Sequence, residues 1–193
     1  MSAGTAPSPA AGGLTSGRRA LLLTLLIFLM PVLIGGGLHL VGWRPAKTSN
    51  HGELVQPPRA VPLAALGAEV AAKVDGKWLL VIAGDTPCAA DCVALAGYTR
   101  AVQVSLNREM GRVRRLVLAE APTPALATLQ AQQPDLLVAA PNPAWREILA
   151  AGPRHRLFVV DPAGNLMMQY APEADPKGVR ADLERLLKSS WIG

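Results

Sequence analysis

Cys88 and Cys92 are the only cysteines in a chain of 193 residues, and they stand four apart in the stretch GDTPCAADC. A sulfur pair at this spacing closes a structural disulfide, cycles between dithiol and disulfide, or grips a thiophilic ion. The run before it, GKWLLVIAG at residues 76–84, is apolar with turn residues at both ends, the pattern of a buried central strand. The stretch after it, residues 89–110, places Val93, Ala96, Ala101 and Val102, with Val104 or Leu106, on one helical face, and Gly111 supplies a stop. Cys88 is therefore expected at or just before the first turn of a helix. Unpaired N–H groups and the helix dipole there favour a thiolate and lower its pKa below about 8.5. Cys92 lies one turn further on the same face, so both sulfurs can meet one ion or each other. A bond across so short a loop removes little chain entropy and is a poor stabiliser.

The groups that could join the sulfurs are few. Asp85 and Asp91 add negative charge, which raises a thiol pKa and attracts a cation. Two thiolates suit a soft ion such as Cu(I), and an added imidazole also suits Cu(II). His155 opens the strand HRLFVVD, and loops at the ends of α/β strands commonly form sites. Facing the cysteines it is a third ligand; otherwise it is a rim histidine. His51 lies in a connector that could fold back toward the site. Met167 and Met168 point to opposite faces of one strand and are expected to fill space, as are Trp78 and Trp145.

Further elements must hold these residues in place. RRLVLA at 114–119 reads as a strand, DLLVAA at 135–140 is either another strand or an apolar turn, a short helix opens near Pro124, and PAWREILA at 143–150 is a helix with Pro143 in its first turn. RLFVVDPAGNLMMQYA is two strands joined at 161–164, with Gly164 in the turn. PKGVRADLERLLKSSW is an amphipathic closing helix that turns Val179, Leu183, Leu186 and Leu187 inward. Strand, helix, strand, helix, hairpin, helix is an α/β layer pattern.

The chain divides by composition into a small, polar, Pro/Gly-rich leader at 1–19, expected to be disordered, an apolar stretch at 20–42, an extended connector at 43–75 and a compact domain at 76–193. The apolar stretch is uncharged and long enough as a helix to cross a hydrocarbon core of about 30 Å, with Pro31 kinking it. Arg18 and Arg19 precede it, which keeps its N-terminal side in the cytoplasm and puts the cysteines in an oxidising space. The formal net charge of +5 is dispersed. Its one cluster, RVRRL at 112–116, lacks interleaved aromatic residues, so it reads as a solvated strand edge or a contact for anionic lipid or a partner, not a nucleic-acid surface.

GKWLLVIAGDTPCAADC with its long helix, then VVDPAGNLMMQY and a closing helix, resembles the SCO/SenC family. The connector SNHGELVQPPR together with KW and the two cysteines is similar to small membrane proteins associated with proteobacterial oxidase assembly genes. The resemblance spans about residues 43–191 and implies a thioredoxin-like α/β domain behind one transmembrane helix, single-pass in the inner membrane with its C-terminal domain periplasmic. It implies an accessory protein or metallochaperone for cytochrome c oxidase, with an oxidase subunit or another assembly factor as partner. Copper would be held by Cys88 and Cys92, with His155 or His51 completing the shell; the alternatives are a reductant of the oxidase's copper-site cysteines and a structural relative with an inert disulfide. Counted back from the glycine of the DPxG turn, the family's histidine falls at Pro153, and His155 takes the place where redox thioredoxin-like proteins carry a cis-proline. Val93 stands where the family has proline after its second cysteine.

Overall fold

The computed structural model describes residues 16–43 and 50–190. The leader lies outside the described residues as far as residue 15, and residues 16–19 open the first helix, α1 (Ser16–Leu40). This is the one helix among the described residues long and apolar enough to cross a membrane. Its 25 residues span about 37 Å at the helical rise and include Pro31.

Among the described residues, the second compact unit takes in residues 50–190, with one strand and one α-helix ahead of the strand that precedes the cysteines. Its first strand, β1 (Glu53–Ala60), carries Pro57 and Pro58, with a cis bond between Gln56 and Pro57. Prolines lack the donor a central strand needs, and β1 accordingly sits at a sheet edge, its register broken between Leu54 and Arg59. A 3-10 turn (Leu63–Leu66) and α2 (Ala68–Val74) follow, so the connector's second half is helical and not extended.

β2 (Trp78–Ala83) leads to α3 (Ala90–Ser105), and a 3-10 turn at Asn107–Arg112 leads to β3 (Val113–Leu118). α3 therefore stops before Gly111; the chain turns at Asn107, whose φ is 52°. Then come α4 (Pro124–Gln132), β4 (Leu136–Ala139), α5 (Pro143–Leu149), β5 (Arg156–Val160), β6 (Asn165–Tyr170) and α6 (Pro176–Ser189). Gly164 closes the β5–β6 turn with φ 83°.

The sheet order is β1-β6-β5-β2-β3-β4. β2, β3 and β4 run parallel, while β5 is antiparallel to β2. Every residue of β2 is buried, because alternate side chains enter two cores. Trp78, Leu80 and Ile82 pack with α3, α4 and α6; Leu79, Val81 and Ala83 pack with α2 and α5.

The basic cluster is not a solvated edge. β3 lies between β2 and β4, so Arg115 points into the layer under α3 and is wholly buried. Its guanidinium donates to Gln103 Oε1, Gln133 Oε1 and the Ala96 carbonyl, and pairs with Asp135 at 2.7 Å. Arg112 ties the Leu187 and Ser190 carbonyls at the end of α6.

Candidate functional site

Strand β2 ends at Ala83 and releases the chain into the loop that carries Cys88. Cys88 and Cys92 are joined in a disulfide, with their Cα atoms 5.2 Å apart. As expected from spacing, Cys88 stands just before the first turn of α3 and Cys92 within it. Neither cysteine is open to solvent. Cys88 is 2 % exposed and Cys92 0 %, because both pack into the core between the sheet and α3.

Ala89, at the N-cap of α3, has no side chain to offer the free N–H groups. Asp91 takes over part of that task. Its Oδ1 accepts from the Cys92 N–H at 2.8 Å, and its Oδ2 accepts from the His155 backbone N–H at 3.0 Å and lies 2.9 Å from His155 Nδ1. One carboxylate thus joins the second cysteine to the head of β5. A proline at position 155 would have no N–H to give. His155 itself is buried, and Gly84 makes room for it: a Cβ at Gly84 would lie 3.0 Å from its ring. Across the loop, the Thr123 hydroxyl donates to the Cys88 carbonyl at 2.8 Å.

Burial alone would raise the pKa of Asp91, but the hydrogen bonds from His155 and Cys92 outweigh it and hold the group at about 2, below its ordinary 3.8. A depressed carboxylate stabilises the fold fully above its unfolded pKa and loses that contribution as pH falls through the folded one. The side chain is 40 % exposed, so after solvent screening the contribution is about 1 kcal/mol. Asp91→Asn is expected to lower stability at neutral pH by about that amount and to flatten the acid limb between about pH 4 and 2, read by denaturant melts across pH.

The second histidine does not join the sulfurs. His51 donates its backbone N–H to Asp182 Oδ2 on α6 at 2.8 Å, and its ring faces Asp182 Oδ1. Met168 is core and Met167 packs beside it, on opposite faces of β6. Trp145 is fully buried, with Nε1 donating to the Pro62 carbonyl.

As a copper site the arrangement is incomplete in this oxidation state. The S–S bond consumes both thiolates, and among the described residues no three His, Cys, Asp or Glu side chains gather round one point. Reduction would return two soft donors. Asp91 Oδ2 occupies the Nδ1 side of the His155 ring, which leaves Nε2 as that ring's other nitrogen.

A family model described as transmembrane-like, thioredoxin-like, C-terminal domain matches residues 78–190. The chain belongs to that family. The matched region runs from β2 into the end of α6, so it contains the cysteine pair, Asp91 and His155, while β1 and α2 lie before it. No curated protein matches the chain. Among solved structures, it is similar to yeast Sco1 with copper bound, at 15 % identity over 61 % of this chain and 79 % of that one, with a TM-score of 0.47. It is also similar to Bradyrhizobium japonicum ScoI with copper bound, at 17 % identity over 69 % and 98 %, with a TM-score of 0.44. A putative thioredoxin from Neisseria meningitidis gives 12 % identity over 75 % and 94 %, with a TM-score of 0.44. This member of the thioredoxin-like family thus has a closely spaced disulfide at the head of its helix and one long apolar helix before the domain.

Proposed function

We propose that this chain is a membrane-anchored dithiol–disulfide protein that serves cytochrome c oxidase assembly on the periplasmic side of the inner membrane, acting on copper-site cysteines. The observation that carries the redox reading is the Cys88–Cys92 bond at the β2–α3 junction, where N–H groups at the helix start favour a thiolate once the bond is opened. The oxidase and its compartment come from the resemblance of GDTPCAADC and VVDPAGNLMMQY to the SCO/SenC pattern.

In the reducing direction, the Cys88 thiolate attacks one sulfur of a partner disulfide. The partner's S–S bond breaks, a mixed disulfide forms, and the partner's other sulfur leaves as a thiolate that takes a proton. Cys92 then attacks the Cys88 sulfur, closing Cys88–Cys92 and releasing the partner's second thiolate. Two electrons pass to the partner, and the chain ends as the disulfide described above.

A second reading, Cu(I) as cargo on reduced Cys88 and Cys92 with His155 completing the set, is favoured by the Asp91–His155 pair. Both readings are tested on the full-length chain in detergent micelles, reduced and kept from oxygen. The exchange reading expects reduction of a cyclic peptide disulfide; a folded, reduced chain that leaves the peptide oxidised overturns it. The cargo reading expects one Cu(I) per chain held against a chelator of moderate strength, lost with either cysteine and weakened about ten-fold or more by His155→Ala. Copper retained in full by His155→Ala removes the histidine from the set.

A further inference from the structure

The closing helix α6 carries cations at an end where a helix by itself favours anions. Its first turn contains Lys177 and no acidic residue, and Arg180 follows three residues later. The positive end of the helix dipole lies there and stabilises carboxylates, not ammonium groups. Lys188 stands in the last turn, where the dipole does suit it. These three and Arg185 are exposed, whereas Val179, Leu183 and Leu187 face the core. Against four cations the solvent side of α6 has only Glu184, which pairs with Arg180 at 2.8 Å. Asp182 is turned inward to His51, Gly52 and Tyr170, with Arg185 3.7 Å from its other oxygen. Lys177 and Lys188 have no carboxylate partner among the described residues.

We propose that this exposed face of α6 lies on the anionic headgroups of the membrane that holds α1. The inference needs neither the exchange nor the cargo reading. Two observations choose a lipid surface as the occupant. The first is charge: headgroup phosphates supply the anions that the first turn of α6 lacks, and they pair with Lys177 and Lys188. The second is where the chain enters the domain. His51 donates its backbone N–H to Asp182 and packs so close to Gly178 that a Cβ there would lie 2.8 Å from its side chain. The chain coming from α1 is therefore fastened to α6, and the covalent path from Trp43 to Asn50 is at most about 25 Å. Each cation beside an anionic surface strengthens binding by about five-fold. That is too weak to bring a free domain to lipid, and sufficient for one tethered beside it.

The test uses the full-length chain in nanodiscs that contain a lipid spin-labelled at its headgroup. One set is phosphatidylcholine alone; in the other about one-third is phosphatidylglycerol, a charged surface whose reach salt shortens. Amide signals of α6 are expected to broaden about five-fold more in the anionic discs, and about 0.5 M salt should remove the difference. Amides of α2, which packs on the opposite face of the sheet, should stay sharp in both. Lys177→Glu with Lys188→Gln is expected to abolish the broadening without lowering the melting temperature, because a carboxylate at position 177 suits the helix dipole. Lys177→Arg with Lys188→Arg should keep it. Signals of α6 equally sharp in both discs overturn the proposal, as an acidic protein partner for this face would require. Broadening of α2 and α6 alike overturns it too, as does a folded Lys177→Glu, Lys188→Gln variant that broadens like the wild type.

Discussion

Cys92→Ser is expected to capture its partner: the reduced variant should accumulate a mixed disulfide through Cys88, visible as a mass increase equal to one peptide and removed by dithiothreitol. The argument follows from order along the chain. Cys88 precedes α3 on a loop, whereas Cys92 lies inside the first turn, 0 % exposed, with its N–H fixed by Asp91. Only the loop residue can move to meet an outside sulfur without unwinding the helix. Without Cys92 the second step has no nucleophile, and turnover of a peptide disulfide should fall by about a thousand-fold. Cys88→Ser should neither turn over nor trap. Trapping by Cys88→Ser instead would reverse the two roles, and inertness of the wild type with both variants would leave a structural bond. The test is clean because the disulfide closes a very short loop, worth about 2 kcal/mol of chain entropy. Its loss lowers stability modestly, which a melt of each variant measures separately from the rate.

Much of this site is written locally in the sequence. β2 is a continuous apolar run because both its faces are buried, and the apolar spacing after Cys92 marks the buried face of α3. Pro143 at a helix start and the Asp-Pro-Ala-Gly turn are equally local, and both stand where their chemistry requires. What the sequence hides is long-range. Burial of Cys88 depends on the core it packs into and on Thr123, 35 residues away. Asp91 reads as a repulsive charge near a thiol until the fold brings His155 to it over a separation of 64 residues. Arg115 reads as part of a surface cluster, because nothing local says that β3 has strands on both sides. The prolines of β1 argue against a central strand, and only the completed sheet shows an edge free to accept them. Trp145 is the packing residue its type suggests, but its place beside the cysteine loop emerges only from the strand order.

Asp182→Ala is expected to produce the largest loss of stability from a single change outside the site, about 3 kcal/mol or more. The carboxylate is 2 % exposed on an otherwise amphipathic helix, and three donors converge on its Oδ2: the His51 N–H, the Gly52 N–H at 2.9 Å and the Tyr170 hydroxyl at 3.1 Å. Gly52 and Tyr170 are themselves buried, so alanine leaves donors that water does not readily reach. The effect should also be local. His51 and Gly52 lead straight into β1, which has a sheet partner only in β6, and Tyr170 closes β6. Hydrogen exchange should therefore show amides of β1 losing protection first, with β2 and β3 keeping theirs. Asp182→Asn keeps one acceptor oxygen and should recover part of the loss. Uniform loss of protection across the sheet would mean that Asp182 supports the whole core and not the edge strand. Cysteine exchange offers a third reading of the same variant. If the edge opens independently of the β2–α3 junction, Asp182→Ala should reduce a small disulfide at the wild-type rate well below its melting temperature, separating the fold's support from its chemistry.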